Sequence, residues 1–159
     1  MSYASTAQPE IFGSYRSSLD AESMALSAGD AGKQLYKFMQ EDVLRYTIYV
    51  DLMFLNDFVF IDSIHQIHDY FLYHPDMIEP VLSICKQSVE MLGKDVQLIL
   101  AYEVDPEINH DSLVLYVRQA YYPQDFFHKI DRIIQANEHL LSHRSGWITV
   151  TTDFNPPHR

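Results

Sequence analysis

The 159 residues carry 22 acidic against 11 basic side chains, a formal charge of −11, with 47 % hydrophobic and 13 % aromatic residues. That apolar content suffices for one buried core and excludes wholesale disorder, while the negative envelope and the lack of any Lys/Arg cluster make nucleic acid and membrane surfaces poor partners. A single cysteine, Cys85, excludes an internal disulfide framework and an all-cysteine metal site.

Residues 1–30 are rich in Ser, Ala, Gly and Asp and read as a loose N-terminal arm, with a short helix near Leu19–Leu26 and Tyr3, Ile11, Phe12 and Tyr15 as its anchors. The start of the chain lacks the basic-then-apolar layout of a leader peptide. Asp51, Asp57 and Asp62 interrupt the longest apolar region, so the expected protein is soluble and cytoplasmic. Residues 31–159 read as a single domain.

From Ala31 the spacing of Leu35, Phe38, Met39 and Val43 predicts a helix. The next stretch fits two templates. As a helix it lines up Val43, Tyr46, Val50 and Met53 or Phe54; as a strand it alternates Tyr46, Ile48, Val50, Leu52 and Phe54 with Thr47, Tyr49, Asp51 and Met53. Its density of β-branched and aromatic residues favours a strand over 45–54, closed by a turn at Asn56-Asp57. Asp57–Tyr73 then reads as a helix broken at His74-Pro75-Asp76, because a proline disfavours the α conformation in the residue before it. A second helix follows from Asp76 to Leu92, with Gly93 as its cap.

Alternation from Val96 to Val104 and again from Ser112 to Gln119 predicts two strands joined by the turn-rich segment 105–111. Pro123 opens an amphipathic helix to about His143, held down by Phe127, Ile130, Ile134 and Leu141 with Phe126, Ile133, Asn137 and Leu140 on its flank. Gly146 stops it before a last strand, Trp147–Phe154.

After the first helix this order is β-α-β-β-α-β. It predicts an α+β fold of the ferredoxin-like, split β-α-β plan: a four-stranded antiparallel sheet, right-handed crossovers placing the helices on one face, and a helical N-terminal extension. So widely used a plan says nothing about activity.

Two histidine pairs have spacings that can hold a metal ion: His65 and His68, with Asp69 beside them, and His139 and His143. His68 falls on an apolar stripe as a core residue would, and histidines in a last helical turn suit the helix dipole, so the expectation is no metal and no cofactor. Phosphate loops and nucleophile elbows are missing from the sequence.

The sheet face turned away from the helices is the candidate functional surface: Tyr49, Asp51 and Met53 from the first strand, Ile99 and Glu103 from the second, Tyr116 and Arg118 from the third, Trp147 and Asp153 from the last. Its apolar content exceeds that of a solvent-facing sheet. The N-terminal helix, a second copy of the chain in a sheet-to-sheet homodimer, a partner protein or a small ligand could each cover it. The leading expectation is a non-catalytic protein-interaction or regulatory module that self-associates through this face. The alternative is a small enzyme or ligand-binding protein in which Arg118 holds an anion while Asp51 or Glu103 moves a proton. A histidine metal-binding protein is the third reading.

Overall fold

The computed structural model describes residues 29–93, 95–107 and 110–157. The arm expected over residues 1–30, with its short helix and aromatic anchors, lies outside the described residues except for Gly29 and Asp30, which are helical. The chain divides into two units, Met1–Val43 and Leu44–Arg159.

The elements in chain order are α1 (Gly29–Leu55), β1 (Phe60–Ile61), α2 (Ile64–Tyr73), a 3-10 turn (Pro75–Met77), α3 (Ile78–Leu92), β2 (Gln97–Asp105), β3 (His110–Arg118), α4 (Phe126–Leu141) and β4 (Ile148–Thr151). In the first unit, described residues 29–43 are helical and leave Leu35, Phe38, Met39 and Val43 exposed.

The strand expected over 45–54 is instead the C-terminal part of α1. Leu44, Ile48, Leu52 and Leu55 recur every three or four residues and join the core, and burying that stripe outweighs the strand preference of Tyr46, Thr47, Ile48 and Val50. The apolar run after it, read as the start of a helix, instead contributes β1, extended by a bond from the Asp62 amide to the Leu100 carbonyl at 3.0 Å. The break at His74-Pro75 falls where expected: the His74 amide caps α2 by bonding the Tyr70 carbonyl. Gly93, at φ 93°, caps α3 through the Val89 carbonyl.

The four strands lie in the order β1-β2-β3-β4. The β2–β3 hairpin is antiparallel with Leu100 opposite Leu115, but β1 runs parallel to β2 and β4 parallel to β3. The sheet is therefore mixed, and the antiparallel ladder and strand order of the ferredoxin-like plan are corrected. Leu98, Leu100, Leu113, Leu115, Val117, Ile148 and Val150 point to one side and form a single core with the buried faces of α1, α2, α3 and α4. Both crossovers step the same way across the sheet, yet the strand pairs they join run in opposite senses. With all helices on one face, one crossover must be right-handed and the other left-handed. The expectation of two right-handed crossovers therefore does not hold.

α4 is rotated relative to the expected facing. Phe126, Ile130, Ile133 and Asn137 are buried, whereas Phe127 is exposed and Ile134 only half-buried. Asn137 marks the seam with α3. Its amide nitrogen donates to the Ile133 carbonyl at 2.7 Å and to Gln87 Oε1 at 3.1 Å, which satisfies a polar group that burial would otherwise penalise. The helix ends at Leu141, so Gly146 is not its stop. A Cβ at Gly146 would stand 2.3 Å from the Tyr70 hydroxyl and 2.8 Å from Met77 Cγ, and glycine is needed there for that close approach.

Candidate functional site

Pairing across β2, β3 and β4 puts Ile99, Ala101 and Glu103 on the face opposite the helices, with Val114, Tyr116 and Arg118 beside them and Thr149 and Thr151 beyond. Its apolar centre is closed: Ile99, Ala101 and Val114 retain 6 %, 7 % and 7 % of their surface. Tyr116 stands opposite Ile99, but its hydroxyl donates to the Glu103 carboxylate four residues further along β2. The bond to Glu103, with burial, pushes the Tyr116 phenol up to about 12.

Arg118 and Asp153 meet directly. Arg118 Nε donates to Asp153 Oδ1 at 3.0 Å and Nη2 to Oδ2 at 2.5 Å, a two-pronged fork. β3 and β4 are neighbours, which brings the two residues together. Arg118 holds the Asp153 carboxyl well below the usual carboxylate range. Trp147 is exposed at the start of β4 and, with Asp105, His110, Ser112 and Thr149, lines a hollow of about 370 Å3 at the hairpin end of the face.

Tyr49, Asp51 and Met53 are helical and do not belong to the sheet face. Tyr49 and Met53 are exposed on α1, together with Tyr46, Val50 and Phe54. At about 100° per residue, Val50 lies half a turn from Ile48, so these side chains form the outer face of a helix whose inner face is core. Phe54 meets Phe58 edge-on, ring centres 6.1 Å apart. Asp51 is half-buried, and burial raises its carboxyl above the ordinary value. Its folded pKa therefore exceeds its unfolded one, and the folded state is penalised once pH has risen through the folded value. Asp51→Asn should melt at a higher temperature than wild type at pH 7, with the gap closing below about pH 4. A lower melting temperature at pH 7 would contradict this.

The His139–His143 pair separates. His143 lies past the end of α4 at φ 63°, off the helical face that His139 occupies. His68 Nδ1 is 3.4 Å from Asp69 Oδ1, and His65 is exposed on the same helix. Among the described residues no group of three or more His, Cys, Asp and Glu side chains is placed to hold a metal ion. Cys85 is fully buried, which pushes its thiol up to about 12.

A polar network that sequence reading missed ties the loop before β4 to the α2–α3 junction. Ser145 donates its hydroxyl to Asp76 Oδ1 at 2.5 Å and its amide to Oδ2 at 2.8 Å, and His74 Nδ1 lies 3.0 Å from the same hydroxyl. Burial alone would raise the Asp76 carboxyl, but these bonds outweigh it and hold it below the ordinary value. The serine proton is directed at a carboxylate and not at the imidazole, so the trio resembles a structural clamp more than a nucleophile with its base. The Tyr70 hydroxyl joins the same region, accepting from the Trp147 amide at 2.7 Å and donating to its carbonyl at 3.0 Å. These partners are 69 to 77 residues apart, and no local spacing could reveal them.

A scan against protein-family models, a search of curated proteins and a search of solved structures each find no match for this chain.

Proposed function

We propose that the chain is a non-catalytic protein-interaction module that self-associates, and that its contact surface is the outer face of α1 and not the sheet. The observation carrying this reading is that Tyr46, Tyr49, Val50, Met53 and Phe54 are all exposed within nine residues of a helix whose other face is core. At roughly 150–250 Å2 per aromatic side chain, about 500 Å2 of surface is on offer. That is the size of the largest apolar patch on a typical monomer, which is often functional.

A second copy is the occupant that fits. Tyr46 and Phe54 lie four residues on either side of Val50, so two such helices crossing antiparallel at Val50 set Tyr46 of each against Phe54 of the other. Residues 44–55 hold one basic side chain, Arg45, and one acidic, Asp51, so this is a neutral patch on a chain of charge −11. Elsewhere two copies repel. Pairing would bury about 1,000 Å2 in total, the lower end for specific complexes, which fits a weak, micromolar association.

Arg118 is engaged by Asp153, Glu103 by Tyr116, and Asp51 sits on a helix, which disfavours the enzyme reading that needed Arg118 with Asp51 or Glu103 at one sheet-face pocket. Sedimentation velocity from roughly 10 to 300 μM should show concentration-dependent dimers. Val50→Asp should remain monomeric across that range with unchanged circular dichroism, because two carboxylates would meet at the axis. A monomeric wild type would refute self-association, and a variant that dimerises normally would refute the α1 face as its surface.

A further inference from the structure

We infer that a tyrosine-walled hollow between α2 and the β2–β3 hairpin is a binding site for an organic cation, an alkylammonium or guanidinium group on an aliphatic stem. The hollow measures about 280 Å3 and is lined by Gln66, Asp69, Tyr70, Tyr73, Tyr102 and Asp111. Gln66, Asp69, Tyr70 and Tyr73 recur at helical spacing along one side of α2, an arrangement independent of the outer face of α1. Tyr102 and Asp111 come from adjacent strands on the helix side of the sheet: Tyr102 pairs with Leu113, and Asp111 lies two residues before it. The hairpin extends past the end of the core there, which leaves the concavity.

The lining chemistry selects the ligand. Three tyrosines and two carboxylates line the hollow, and among the described residues no Lys or Arg lines it, so it repels anions and attracts a cation that can lie against a ring. After burial, the Asp111 charge is a further cause raising both the Tyr70 and the Tyr102 phenols, and a hydrogen bond to Asp111 raises Tyr102 as well. The bases nearest the two carboxylates are imidazoles, His74 Nε2 at 3.9 Å from Asp111 and His68 Nδ1 at 3.4 Å from Asp69. Neither supplies the permanent charge that a lysine or arginine would. The Asp69 and Asp111 side chains keep 67 % and 36 % of their surface, and both line a concavity of side-chain size together with the tyrosines.

Such a headgroup reaches the hollow as a free small amine or as a Lys or Arg side chain of a polypeptide. Amide-resolved NMR titration separates the sources, using tetramethylammonium chloride, N-acetyl-lysine methylamide and N-acetyl-arginine methylamide against sodium chloride at matched ionic strength. The expected result is saturable shifts confined to residues 66–73, 102 and 111 for at least one probe. Asp111→Asn and Tyr73→Ala should each weaken binding about tenfold. Tyr73 is largely exposed, so its truncation leaves the fold intact. Tighter binding of tetramethylammonium assigns the site to a free amine; tighter binding of a capped amino acid assigns it to a side chain. Shifts that do not saturate, that sodium chloride reproduces, or that survive both substitutions overturn the inference.

Discussion

Truncating Tyr70 to alanine is expected to cost about 3–5 kcal/mol of unfolding free energy, the range for deleting a buried aromatic ring. Tyr70 is among the largest fully buried side chains, and its ring meets Phe71, His74 and Tyr102. Its hydroxyl also serves the amide and carbonyl of Trp147, the residue that leads into β4. Tyr70→Phe keeps the ring and removes only that bridge, leaving two backbone groups to find water; about 1–3 kcal/mol should be lost. Urea unfolding of the two variants separates packing from hydrogen bonding. Equal losses would mean that the hydroxyl carries the whole effect; no loss in Tyr70→Phe would mean that the bridge contributes nothing.

The second large effect is at the Arg118–Asp153 pair. The side chains keep 12 % and 23 % of their surface, so the fork is mostly shielded from water. Asp153→Asn removes the charge that the Arg118 fork engages and should cost about 1.5–3 kcal/mol at pH 7, the range for hydrogen bonds to charged groups. Because the folded Asp153 carboxyl is held below its ordinary value, the folded state binds that proton less readily than the unfolded chain. The contribution is complete above about pH 4 and decays as pH falls toward the folded value. Wild type and Asp153→Asn should thus differ at neutral pH and converge in acid. A gap that stays constant down to pH 2 would show that the pair is not its source.

How far the sequence could be read depended on how local each determinant is. The β2–β3 hairpin was legible because Leu98, Leu100, Leu113 and Leu115 alternate with residues of the other face, a period-2 pattern that needs no knowledge of the rest of the chain. The break at His74-Pro75 and the cap at Gly93 were legible for the same reason. Residues 44–55 were not, because Tyr46, Thr47, Ile48 and Val50 suit a strand locally, and only core contacts of Ile48, Leu52 and Leu55 decide for helix. α4 was turned the wrong way because Asn137 looks like a solvent marker until Gln87 is brought against it. Of the candidate surface, Ile99, Glu103, Tyr116 and Arg118 share the sheet face through the β2–β3 register. Tyr49, Asp51 and Met53 were assigned to it only through the mistaken strand.

Self-association through the outer face of α1 is the central claim, and contacts between chains test it most directly. A sample mixing chains labelled with carbon-13 and unlabelled chains, at roughly 0.5 mM to populate a micromolar dimer, permits an isotope-filtered NOE experiment that detects only contacts across the interface. The account predicts cross-peaks from the Val50 and Met53 methyl groups to the rings of Tyr46 and Phe54 on the opposing chain. Cross-chain contacts at Tyr116 and Trp147 instead, or none at all, would contradict it.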